Sequence, residues 1–135
     1  MRDNERAMRL IIRDGTEPGG QGGLEFDLRE VLLAVEEQSR RCTWRGRDIH
    51  YVSRDDCDVG PMHSLGQGRA VAGDDLIDGI GQLLQVIDGE FEATEPGRDN
   101  PSLVIRAVDS SWWEVLSDDA TVQAAIRRRF RVVTP

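Results

Sequence analysis

LVIRAVDSSWWEVL, residues Leu103 to Leu116, reads as a strand, a turn and a returning strand. Leu103, Ile105 and Ala107 alternate with Val104, Arg106 and Val108. That period of two puts successive side chains on opposite faces of a sheet. Asp109-Ser110-Ser111 follows, and these residue types favour turns because their side chains bond nearby backbone groups. Trp112 to Leu116 then runs back antiparallel. Neighbouring strand positions face opposite ways, so one of Trp112 and Trp113 can enter the core while the other faces outward or lies covered under the last helix. An outward Trp is a common interface anchor, and Trp113 is the expected one.

Downstream, Ser117 or Asp118 caps a last helix whose buried face is Val122, Ala125, Ile126 and Phe130. Val132 and Val133 add a short strand or end the chain. Upstream, Glu95 to Pro101 is a polar loop and Glu90 to Thr94, EFEAT, alternates as a strand. Asp74 and Asp75 start a helix with Leu76, Ile77, Ile80, Leu83, Leu84 and Ile87 facing inward, and Gly89 terminates it. Cys42 to Ser53, CTWRGRDIHYVS, reads as a hairpin turning near Arg45-Gly46. Before it, Asp27 opens a helix, with Glu30 completing an Asp-x-x-Glu capping box and Leu28, Val31, Leu32 and Val35 as its apolar stripe, ending near Ser39 to Arg41. Met8 to Arg13, MRLIIR, is the first strand.

The resulting order is β-α-β-β-α-β-β-β-α. Adjacent strands interleaved with helices predict an α+β fold, with a mostly antiparallel sheet of about five to six strands and three helices packed on one face. The chain has 135 residues, which suits one domain over residues 8–135 behind a flexible leader, residues 1–7. No internal repeat or domain boundary is visible.

Composition narrows the function. All 17 basic residues are arginine, so Schiff-base and P-loop lysine chemistry are excluded. The net charge of -8 disfavours nucleic acid and anionic membrane and favours basic partners. The start lacks the apolar stretch of a signal peptide, and no run approaches the ~20 apolar residues of a membrane span. A cytoplasmic protein with Cys42 and Cys57 as free thiols is expected. Gly19-Gly20-Gln21 resembles the tripeptide of peptide-chain release factors over those residues alone. The basic surroundings that ribosomal RNA requires are missing, so residues 14–23 read as a glycine-rich loop.

Two features bear on a site. Residues 54–69, RDDCDVGPMHSLGQGR, show no strand or helix periodicity and read as a long loop carrying Asp55, Asp56, Cys57, Asp58 and His63. Paired spacings such as C-x-x-C or H-x-x-x-H are missing, so neither a metal nor another cofactor is expected. A thiol beside carboxylates makes a poor nucleophile, because their charge raises its pKa. The second feature is charge segregation. Asp55, Asp56, Asp58, Asp74, Asp75, Asp78, Asp88, Glu90, Glu92 and Glu95 face only Arg69 within their stretch, while Arg127, Arg128, Arg129 and Arg131 cluster at the end. The expectation is a small, acidic, non-catalytic protein-interaction module, inhibitor- or immunity-like. It would bind a basic protein partner, or itself, through Asp55, Asp56, Asp58, His63, Asp74, Asp75 and Trp113. The alternative is a small enzyme or metal-binding protein using the loop of residues 54–69.

Overall fold

The computed structural model describes residues 8–14, 26–53, 60–81 and 83–135. Seven strands form one antiparallel sheet. They are β1 (Met8–Ile12), β2 (Thr43–Ser53), β3 (Val71–Ala72), β4 (Leu83–Thr94), β5 (Leu103–Val108), β6 (Trp112–Ser117) and β7 (Val133–Thr134). The helices are α1 (Leu28–Ala34), α2 (Glu36–Arg41), α3 (Gly60–Gly66), α4 (Gly73–Gly79) and α5 (Ala120–Arg129). Across the sheet the order is β3-β2-β4-β5-β6-β1-β7.

The β5–β6 hairpin forms as its alternation predicts. Leu103, Ile105 and Ala107 are buried, and Asp109 and Ser110 occupy positive φ of 47° and 56°. Two consecutive positive-φ residues define the tight turn whose twist matches the flanking strands. Ser111 N–H donates to Val108 O at 2.8 Å to close it. One sheet face carries Leu10, Ile12, Phe91, Ala93, Leu103, Ile105, Ala107, Trp113 and Val115 into the core. Leu28, Val31, Leu32, Met62, Leu65, Leu76, Ile77, Val122 and Ile126 meet them from the helices. The other face carries Arg47, Glu90, Arg106, Glu114 and Trp112, and no described helix covers it.

The α+β class and antiparallel sheet stand as expected, but the described residues alone form seven strands and five helices rather than five to six and three. Each discrepancy has a local cause. Residues 42–53 are not a hairpin: Thr43–Ser53 is one strand. Gly46 makes no turn; a Cβ there would lie 2.5 Å from Ile49 Cδ1 and 3.3 Å from Leu65 Cβ, so glycine admits close packing against β2. The irregularity is a bulge between Arg47 and His50, with Asp48 at φ 54°. The helix expected from Asp74 to Ile87 stops at Gly79, and Leu83–Thr94 is a strand paired on both sides. Gly89 is therefore a strand residue opposite Ala107. The first helix breaks at Val35, whose φ of -122° and ψ of 45° leave the helical region. Residues 60–66, expected in a loop, are α3, with Pro61 in its first turn and Met62 and Leu65 buried three residues apart. The last helix is capped by Asp119 rather than Ser117 or Asp118, its side chain accepting from Thr121 N–H at 2.8 Å. The leader at residues 1–7 and most of the glycine-rich loop lie outside the described residues.

Candidate functional site

The site begins with the capping box on α1. Asp27 Oδ1 accepts from Leu28 N–H at 2.6 Å, and Asp27 N–H donates to Glu30 Oε1 at 2.8 Å. The same carboxylate accepts from Val86 N–H at 3.0 and 3.2 Å, which fastens α1 to β4. Burial outweighs these bonds and pushes the Asp27 carboxyl up from an ordinary 3.8 to about 6.

Helices α2 and α4 then cross without side-chain separation. Gly73 N–H donates to Cys42 O at 2.9 Å, and a Cβ on Gly73 would lie 1.8 Å from Ser39 O. Only glycine permits this approach. It brings Arg40 of α2 onto the acidic side of α4. Arg40 Nε meets Glu36 at 2.8 Å, and its Nη1 meets Asp74 at 3.0 Å and Asp78 at 3.2 Å. One guanidinium thus serves three carboxylates. Glu36 first, then Asp74, hold the Arg40 proton even more firmly than usual. Asp75 is exposed beside them and makes no hydrogen bond or ion pair among the described residues.

A cleft of about 480 Å³ opens next to this cluster, lined by Asp27, Arg29, Glu30, Arg40, Ile77, Asp78, Ile80 and Gly81. Ile77 and Ile80 are buried and give it an apolar floor; carboxylates and guanidiniums form its walls.

The expected site residues separate. Asp74 and Asp75 sit on α4 at this surface. His63 is exposed on α3, and its side chain makes no hydrogen bond or ion pair among the described residues. Asp55, Asp56, Asp58 and Cys57 lie outside the described residues. Trp113 is not an outward anchor: it is 1% exposed, with its ring tilted 42° against Phe26 at a centroid distance of 6.3 Å. Strand alternation turns Trp112 outward instead, where its Nε1–H donates to Glu114 at 3.1 Å and Arg13 covers its ring at 5.4 Å. Cys42 is buried, which pushes its thiol pKa up and leaves it inert. No group of three His, Cys, Asp or Glu that could hold a metal occurs among the described residues.

The acidic middle third also divides between two surfaces. Glu90 and Glu92 belong to the open sheet face, where Arg106 and Arg47 pair with them. Glu95 pairs with Arg41 at 3.0 Å. These arginines come from outside the acidic stretch, so sequence proximity to Arg69 alone misjudged the balance. The residues that sequence reasoning missed are Arg40, Glu36 and Asp27; the Glu36–Arg40 spacing of four was the available signal.

No helix among the described residues is long and apolar enough to cross a membrane. No family model, no curated protein and no solved structure matches this chain.

Proposed function

We propose that the chain is a non-catalytic protein-interaction module whose α2–α4 surface receives a basic segment of a partner protein. The observation that carries this is the charge imbalance at Arg40: Glu36, Asp74 and Asp78 share one cation, and Asp75 adds a carboxylate beside them. An incoming guanidinium finds acceptors already gathered and pre-paid in their mutual repulsion. The adjoining cleft suits the rest of such a side chain. The stem of an arginine or lysine lies on Ile77 and Ile80, and its head reaches Asp78 or Glu30. Complementarity of this kind speeds encounter and selects partners. An inhibitor- or immunity-like role fits it, and the cytoplasm, where Cys42 stays a thiol, is the compartment assigned.

The test is titration with a labelled arginine-rich peptide followed by anisotropy. Binding should weaken as salt rises, and Asp74→Asn, Asp75→Asn and Asp78→Asn together should weaken it by about tenfold or more. Affinity indifferent to both salt and the triple substitution would overturn the proposal.

A further inference from the structure

The helical layer is electrically polarised along the sheet. At one end, α4 packs on β2 and β3, and with α2 it presents Glu36, Glu37, Asp74, Asp75 and Asp78 against Arg40 and Arg41. Towards the other end, α5 packs on β6 and ends in Arg127, Arg128 and Arg129. Helix α1 lies between, touching α2, α4 and α5. The sheet order separates the two ends, with β3 and β2 at one rim and β6 beyond β4 and β5. Arg127, Arg128 and Arg129 are all exposed and form no ion pair among the described residues; Arg129 only lies over the Phe130 ring at 4.9 Å.

We propose that the basic segment is supplied by a second copy of this chain, in a twofold dimer formed face to face across the helical layers. The inference rests on the reading of the α2–α4 surface given above and names its occupant. The ground is charge complementarity carried within one chain. A twofold axis near α1, running across the line that joins the two ends, sets each acidic end opposite the other copy's basic end. The same contact is then made twice, which closes the assembly at two copies. Arginines from α5 of one copy enter the cleft of the other, their stems on Ile77 and Ile80 and their heads on Asp78 and Asp75. Within one copy the two groups sit at separate ends of the layer and stay apart. The net charge of -8 on each copy opposes association at long range. At about 0.15 M salt that repulsion is screened beyond ~8 Å, while contacts at ion-pair distance are screened less.

Sedimentation equilibrium on the full chain tests this. At about 0.15 M salt the mass should be twice 15.1 kDa, and at about 1 M it should fall to 15.1 kDa. Arg127→Glu, Arg128→Glu and Arg129→Glu together should give a monomer, and so should Asp75→Arg with Asp78→Arg. An equimolar mixture of these two variants should recover the doubled mass, because both contacts are again complementary; recovery also shows that each variant is folded. A wild-type chain that stays monomeric at 0.15 M, or a dimer indifferent to both reversals, overturns the proposal. Monomeric wild type that still binds the arginine-rich peptide through Asp74, Asp75 and Asp78 overturns the second copy alone and leaves the basic-segment reading standing. Monomeric wild type that ignores the peptide sinks both.

Discussion

The open sheet face and the α2–α4 surface treat acidic residues in opposite ways. On the sheet, Arg47, Glu90, Arg106 and Glu114 stand side by side across four strands, with charge alternating at each step. Arg47 and Arg106 between them pair with Glu90, Glu92 and Glu114, Glu90 meeting both, and the Glu90 and Glu114 side chains are only 19% and 10% exposed. On the helices, one arginine serves three carboxylates whose side chains are 49%, 66% and 68% exposed. Acids of similar density in the sequence thus become structure in one place and available charge in the other. The difference comes from the backbone. Strand pairing fixes neighbours at about 5 Å and lets cations and anions alternate, whereas the α2–α4 crossing clusters whatever those helices present.

Breaking the crossing should have the largest effect. Gly73→Ala forces a Cβ against the Ser39 and Arg40 carbonyls, so urea unfolding should show a loss of about 3 kcal/mol or more. Peptide binding should vanish with it. Next comes a direct contrast of the two surfaces. Glu114→Ala removes a buried partner of Arg106 and Trp112 and should cost about 2 kcal/mol. Asp74→Ala leaves Arg40 with Glu36 and Asp78 and should cost under about 0.5 kcal/mol. Equal costs would erase the distinction drawn here.

Arg40→Gln sharpens it further. The internal cation competes with any incoming one, so its removal should tighten arginine-peptide binding by about threefold with little change in stability. Weaker binding would mean that Arg40 itself contacts the partner.

A separate effect concerns pH. The folded Asp27 carboxyl titrates near 6, above its ordinary 3.8, so the folded chain holds this proton more tightly than the unfolded chain does. Its contribution is complete below about pH 4 and is lost as pH rises through about 6. Asp27→Asn keeps a side-chain acceptor for the cap but does not titrate. Denaturation between pH 4 and 6 should therefore show the wild type losing stability relative to this variant as pH rises.

What was legible in the sequence was local. The β5–β6 alternation, the Asp109-Ser110 turn and the Asp27–Glu30 box are each complete within a few residues, and each formed. The failures needed distant partners. Leu83 to Ile87 satisfies helical spacing and strand propensity alike; pairing with β2, and the Val86 N–H bond to Asp27, settle it as strand. Arg45-Gly46 carries a turn signal that a bulge and a close contact with Leu65 also satisfy. The site was half legible for the same reason. Asp74, Asp75 and Asp78 announce an acidic helix, but Arg40 reaches Asp74 and Asp78 across 34 and 38 residues of chain.

The bulge in β2 has one more effect. Where Asp48 takes its positive φ, the ladder slips, so the outer side of β2 beyond β3 offers no straight run of evenly spaced amide groups. At the opposite rim, β7 pairs with the Ile11–Ile12 end of β1. Among the described residues, a foreign strand therefore finds only short stretches to template on at these two borders, an arrangement that works against edge-to-edge pairing.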